Sequence, residues 1–281
     1  MPENCPISFE QAIAQVANIS PESRNLQIKS HFIRLLEAHQ GPNYWEGDLI
    51  RIRMDEMPLK ASLAGPVTPL DLADDEGVGE ETAFYYHPPS RVLLFQYNRH
   101  SVSASMASYY FRRMAGIEGD IVLEPVLQED VLVRLARMRI FRKFIFKVSG
   151  EQNAQVFQGQ GHGVGALTDL IHQFQAPTIE VTLSLGRKRR GSLGLQAVKD
   201  TIERLLRFAA GSHPQVERLQ IAGREGDGDD IRFIDLLKDR MIEMVHVPLD
   251  ASRRVPPMER RRALQSAWLR RQEEVLRMYS P

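Results

Sequence analysis

"TAFYYHPPSRVLLFQYN" (Thr82–Asn98) is the stretch whose reading decides the fold class. Ala83–Tyr86 and Val92–Tyr97 are two short apolar runs rich in aromatic and β-branched residues, the composition of strands packed on a sheet. Pro88–Ser90 lies between them with two prolines, each fixing φ and removing a backbone donor, so the chain turns there. The stretch therefore predicts a β-hairpin. The question is what surrounds it.

Upstream, "SFEQAIAQVAN" (Ser8–Asn18) predicts a short helix capped by Ser8, with Phe9, Ile13, Val16 and Ala17 apolar. "LQIKSHFIRLLEAHQ" fits strand and helix equally. Arg51, Ile52, Arg53 and Met54 alternate with period two and predict a strand starting at Leu49. Residues 57–82 hold Pro58, Pro66, Pro69 and an acidic run, and read as loop or arm. Downstream, Ser101 or Ser103 caps a helix ending near Gly116, "DIVLEPVL" (120–127) reads as a strand, and Gln128–Arg137 as a helix.

"RIFRKFIFKV" (139–148) alternates as a strand, with Phe141 and Lys143 on one face and Arg142, Phe144 and Phe146 on the other. "TIEVTLSL" is a further strand, Leu195–Ala210 an amphipathic helix, and three strands follow in "QVERLQIAG" and "IRFIDLL…MIEMVHVPL". The acidic "REGDGDD" forms a tight turn, and an arginine-rich helix follows Pro256–Pro257. Helices and strands intermingle without a βαβ repeat. The expectation is an α+β fold with mixed, largely antiparallel sheets and flanking helices, in two subdomains at 1–150 and 151–281.

The 281 residues include 36 basic and 36 acidic side chains. A chain basic all over is excluded, but the charge is segregated. Val131–Gly150 holds six basic residues and no acid, while Asp71–Glu81 holds six acids and no base. Only seven of the 36 cations are lysines, and arginine has the fork geometry that suits phosphates. No apolar run is long enough for a membrane span, and no signal peptide is evident, so membrane insertion is not expected. Cys5 is the only cysteine, which fits a reducing cytoplasm and rules out an intramolecular disulfide or a cysteine-rich zinc site.

"SLGRKRRGSLG" (184–194) concentrates Arg187, Lys188, Arg189 and Arg190 between Gly186 and Gly191. Four adjacent cations repel unless water or an anion relieves them. This loop leads into a helix whose first N–H groups and dipole also favour anions. The strand 139–147 adds Arg142, Lys143 and Lys147. The bland reading is a solvated loop; the sharper one is a phosphate contact.

Sequences that would specify an enzyme are missing. Gly161-x-Gly163-x-x-Ala166 satisfies only a relaxed dinucleotide fingerprint, separated from its preceding strand by a polar stretch, and reads as loop. Asp227–Asp230 lacks the spaced ligands of a calcium loop. Glu180 has Thr182 where a metal-dependent nuclease would place a lysine, and the eight histidines form no ligand pair. Tyr109, Tyr110 and Phe111 fall on different faces of one helix and most of them read as packing residues, as do Trp45 and Trp268. The arginines of the terminal helix occupy several faces, so part of that set reads as helix surface or dimer contact.

"LADDEGVGEETAFYYHPPSRVLLFQYNRHSVSAS" (Leu72–Ser105), "DIVLEPVL", "RMRIFRKFIFKV", "TIEVTLSLGRKRRGSLGLQAVKDTIERLL" and the closing arginine-rich helix follow one another in an order that resembles the RexA-like phage-exclusion family. The resemblance covers roughly residues 70–279. It implies a homodimer that binds double-stranded DNA with little sequence preference, with the basic loop on Arg187–Arg190 and strand cations at Arg142 and Lys147. The expected function is thus non-enzymatic DNA binding in phage exclusion or anti-phage defence, through phosphate contacts and without cofactor or metal. The alternatives are an interaction subunit with a partner encoded beside it, and a metal-dependent nuclease with a dispersed site.

Overall fold

The computed structural model describes residues 8–28, 30–98, 100–118, 121, 123–149, 173–174, 176, 178–186, 188, 190–209, 215–226, 228–237 and 240–279. The fold is α+β, and every strand pairing described is antiparallel. The chain divides into two compact units, one of Met1–Ile121 with Met244–Pro281, the other Val122–Glu243. The division does not fall at residue 150, because a strand ending at Ser149 is hydrogen-bonded on both sides to strands from beyond that point.

The first unit is built on a five-stranded sheet in the order β1-β2-β3-β6-β7. Its strands are β1 (Leu26–Ile28), β2 (His31–Gln40), β3 (Trp45–Arg53), β6 (Val78–His87) and β7 (Val92–Phe95). The ambiguous 26–40 segment is therefore strand. Residues 57–82 are more ordered than an arm. They hold a small hairpin, β4 (Lys60–Ala61) with β5 (Val67–Thr68), and the start of β6, whose pairing with β3 supplies the order that local composition lacks. The expected β6–β7 hairpin forms, turning through a 3-10 helix at Pro88–Ser90.

Thr82–Tyr86 is buried at every position because helices cover both faces of β6. On one face lie α1 (Phe9–Ala17) and α2 (Ala104–Met114); on the other lies α5 (Pro257–Tyr279). Ser8 caps α1 in a capping box, donating its N–H to Gln11 Oε1 at 2.7 Å and accepting from Gln11 N–H at 3.2 Å. Ser103 caps α2 through Met106 N–H at 3.2 Å. Phe9 meets Tyr86 and Phe111 edge-on, with centroids 5.0 and 5.4 Å apart, and Phe84 meets Phe111 the same way. Tyr110, Phe111, Trp45 and Trp268 are all buried, as the sequence reading has them.

Gly47 marks the tightest approach in this sheet. A β-carbon there would stand 2.3 Å from the carbonyl oxygen of Glu37 and 2.9 Å from the Phe84 ring. Gly47→Ala should destabilise the unit by about 1–3 kcal/mol through overpacking. Both tryptophans, Trp45 and Trp268, belong to this unit, so their fluorescence in a urea titration reads the change directly. An unchanged midpoint would show that β2 yields without cost.

The terminal helix α5 is fastened by charge. Arg260 and Arg261 are buried, at 6% and 4% exposure. Arg260 donates from Nε and Nη2 to Asp48 Oδ1 at 3.2 and 3.0 Å, and from Nη1 to Glu81 Oε2 at 2.6 Å. Arg261 reaches Glu37 at 3.1 Å and lies 3.6 Å from the second Asp48 oxygen. Burial holds the Asp48 carboxyl above its usual range despite these two arginines. Glu81 is also pushed up by burial, yet hydrogen bonds from Arg260 and Arg254 outweigh that and leave it below its ordinary value. The helix arginines thus split between roles. Two are ion-paired in the interior, while Arg262 and Arg271 pair along the helix with Glu259 and Glu274.

The second unit is a four-stranded sheet in the order β11-β10-β8-β9. The strands are β8 (Ile140–Ser149), β9 (Thr178–Ser184), β10 (Gln215–Arg224) and β11 (Arg232–Asp235), with helices α3 (Glu129–Arg137) and α4 (Leu195–Ala209). Its core joins Phe141, Phe144, Phe146 and Val148 of β8 to Leu219 and Ile221 of β10 and to Val198, Ile202 and Leu205 of α4. The spacing of the last three, at i, i+4 and i+7, is one helix face. Two expected strands are missing among the described residues. The described part of "DIVLEPVL" makes a single bridge, Leu127 with Arg240, where Pro125 removes a ladder donor. Residues 241–250 are irregular, tied near their start by Met241 N–H to the Val126 carbonyl at 2.7 Å.

Candidate nucleic-acid interface

The basic loop stands between β9 and α4, beside the start of β8. It is tethered at both ends. Leu185 N–H donates to the Arg142 carbonyl at 3.1 Å, and Leu193 N–H to the Phe141 carbonyl at 2.8 Å. Ser192 Oγ accepts from Phe141 N–H at 2.9 Å. Within the loop, Gly186 N–H donates to Ser184 Oγ at 3.0 Å and Lys188 N–H to the Leu185 carbonyl at 3.2 Å. Gly186 and Gly191 sit at φ of +55° and +107°, conformations that a β-carbon disfavours, so glycine at both ends permits the reversal.

Lys188 and Arg190 are exposed, and neither side chain has an ion pair among the described residues. Arg187 and Arg189 lie outside the described residues, as does the glycine-rich 159–166 segment. Helix α4 follows at once, its first hydrogen bond running from Val198 N–H to the Gly194 carbonyl at 3.0 Å. No acid occupies its first turn, which leaves the positive end of its dipole uncompensated by its own side chains.

The strand cations take other positions. Where β8 meets β10, Lys143 pairs with Ala222 and Phe141 with Gly223, so Arg142 is an extra residue in a bulge. The bulge shifts the alternation and brings Phe141 into the core beside Phe144 and Phe146, contrary to the strict period-two expectation. Arg142 then donates from Nη2 to the Lys188 carbonyl and braces the loop backbone. Lys147 of β8 pairs with Glu217 of β10, and Arg218 of β10 lies 3.4 Å from Glu180 of β9, on the far side of β8. These four charges form a neutral ladder across β9, β8 and β10. Lys143 is half-buried on the strand.

The β10–β11 turn lies at the same end of the sheet, since Arg224 of β10 pairs with Ile140 of β8. It carries Glu225, Asp229 and Asp230, with Asp227 outside the described residues; Arg232 is 3.7 Å from Glu225. One strand, β8, separates this acidic turn from the basic loop, so the end of the sheet is polarised along its width over about 10 Å. The bulge and the acidic neighbour escaped sequence reasoning. The run of adjacent cations was its one local signal.

Fold and site together define an α+β protein of two units, one carrying a tethered, cation-bearing loop at the mouth of a helix. The chain belongs to a family of unknown function, DUF6731, whose model matches residues 6–256. No curated protein and no solved structure matches it. Among the described residues no group of three His, Cys, Asp or Glu side chains is placed to hold a metal ion, and no helix is long and apolar enough to cross a membrane.

Proposed function

We propose that the chain is a non-enzymatic, double-stranded DNA-binding protein whose 186–191 loop contacts phosphates, acting in phage exclusion or a related defence. The observation that carries the reading is the exposure of Lys188 and Arg190, without ion pairs among the described residues, on a loop whose backbone is already held at both ends. A tethered loop loses little conformational entropy on binding, so its charge is used efficiently. Arg142 contributes by bracing that backbone. A homodimer would present two such loops, doubling the phosphates reached.

Fluorescence anisotropy of a labelled duplex across a salt series tests this. Each phosphate neutralised contributes about 0.9 to the slope of log affinity against log salt. Changing Arg187, Lys188, Arg189 and Arg190 together to alanine should flatten that slope, and Asp229→Asn with Asp230→Asn should raise affinity at every salt concentration. Equal binding by wild type and the quadruple variant would overturn the assignment. One observation favours a protein partner instead: Ile231 and Phe233, at and beside the edge strand β11, are 51% and 65% exposed. A partner that co-purifies with wild type and is lost with Phe233→Ser would establish that second reading.

A further inference from the structure

The first unit contains a polar cavity of about 280 Å³ that the DNA-binding reading does not use. Its wall carries Arg51 and Arg53 of β3, Glu80 of β6, His100, and the turn residues Asp55 and Glu56. Arg51 and Arg53 continue the β3 face on which Trp45 and Leu49 are buried, because the β3–β6 register runs unbroken from Trp45 to Arg53.

Opposite charges meet around this cavity without pairing. Arg51 and Glu80 are direct cross-strand partners, yet no ion pair joins them. Arg51 makes one hydrogen bond, from Nη1 to the His100 carbonyl at 3.4 Å, and Glu80 accepts one from Asn98 at 3.3 Å. Arg53, Asp55 and Glu56 have no hydrogen-bond or ion-pair partner for their side chains among the described residues. The Nε atoms of both arginines are shielded from solvent and have no acceptor among the described residues. Glu56 adopts φ of +46°, a conformation that residues with a β-carbon avoid and that recurs at binding sites.

Among the described residues, an anion alone would face three carboxylates, and a cation alone two guanidiniums. A ligand that carries both signs satisfies both sets. The cavity is also near the small end of ligand pockets. We propose that this cavity binds a small zwitterion of the amino-acid class. Its carboxylate is held by Arg51 and Arg53, in the forked geometry that guanidinium and carboxylate share. Its ammonium is held by the carboxylates of Asp55, Glu56 and Glu80.

Saturation-transfer NMR on the full chain, with the twenty standard amino acids as probes, tests the proposal. Isothermal titration then follows any amino acid that responds. At least one should bind, while acetate and methylammonium at the same concentration should not. Arg53→Met should weaken binding about tenfold or more, the scale of one charge-assisted hydrogen bond. Asp55→Asn with Glu56→Gln, both at exposed turn positions, should weaken it comparably without altering the melting temperature. Silence from all twenty amino acids would overturn the proposal. So would acetate binding as well as the amino acid, or affinity unchanged in both variants. The DNA titration is independent of each outcome, since its variants lie in the other unit.

Discussion

Arg260→Met should destabilise the first unit by about 3–5 kcal/mol, the cost of leaving a buried charge without its partner. Asp48 is 1% exposed and takes two hydrogen bonds from Arg260, through Oδ1 alone. Without them it keeps only Arg261, 3.6 Å from Oδ2 and too far for a good hydrogen bond. Glu81 loses its 2.6 Å contact, and the carbonyl of Val255 loses a donor at 3.1 Å. Methionine retains much of the side-chain volume, so packing accounts for little of the loss. Removing both signs together, with Arg260→Met, Arg261→Met, Asp48→Leu and Glu81→Gln, should recover most of it. A tryptophan-monitored urea titration that places Arg260→Met within 1 kcal/mol of wild type would contradict the argument (about the worth of a surface pair).

The sign of the pH effect follows from Glu81. Its folded pKa lies below the ordinary value, so its contribution is present above the unfolded carboxylate range and is lost as pH falls through the folded value. Arg260→Met removes the hydrogen bond that most strongly lowers it, so the stability that Glu81 contributes above the carboxylate range is reduced. The deficit of the variant against wild type should be largest near neutral pH and shrink as pH falls through the carboxylate range.

Tyr110→Phe should cost about 2–4 kcal/mol, although it deletes a single oxygen. The ring is fully buried, and the hydroxyl both accepts from Leu35 N–H and donates to the Arg24 carbonyl, each at 2.9 Å. Leu35 adjoins the bulge in β2, where the pairing with β3 jumps from Leu35 to Glu37 and the ladder is locally interrupted. The tyrosine supplies the acceptor there. Phenylalanine would leave the buried Leu35 N–H and the partly buried Arg24 carbonyl without this partner, and the ring contacts with Phe111 would remain. Burial pushes the phenol up to about 12, so no titration of this group intervenes below strongly alkaline pH. A change under 1 kcal/mol in the urea midpoint would mean that water replaces the hydroxyl.

Where a segment's neighbours in space are also its neighbours in sequence, the reading of residues carried through to structure. Ser8 and Ser103 act within one helical turn, and each caps its helix. The Pro88–Ser90 turn joins adjacent strands, and the β6–β7 hairpin forms around it. The apolar spacing of Val198, Ile202 and Leu205 likewise specifies a helix face by itself. "DIVLEPVL" and 241–250 failed because strand composition does not supply a partner strand, and a ladder needs two sides.

The candidate sites divide along the same line. Adjacent cations and flanking glycines mark the 186–191 loop in one dimension. The partners of Arg260 do not, for Asp48 and Glu81 lie 212 and 179 positions away in sequence. An arginine on a terminal helix looks the same in sequence whether it faces water or a buried aspartate. The sequence by itself determined the α+β class, the helix caps, the hairpin and the concentration of charge between two glycines, all set by local propensity and spacing. Only the tertiary structure decided which arginines are neutralised, which strand bulges, and where unpaired opposite charges gather around a cavity. Those outcomes depend on contacts between residues far apart in the chain, and a charge acts through the distances and shielding that folding creates.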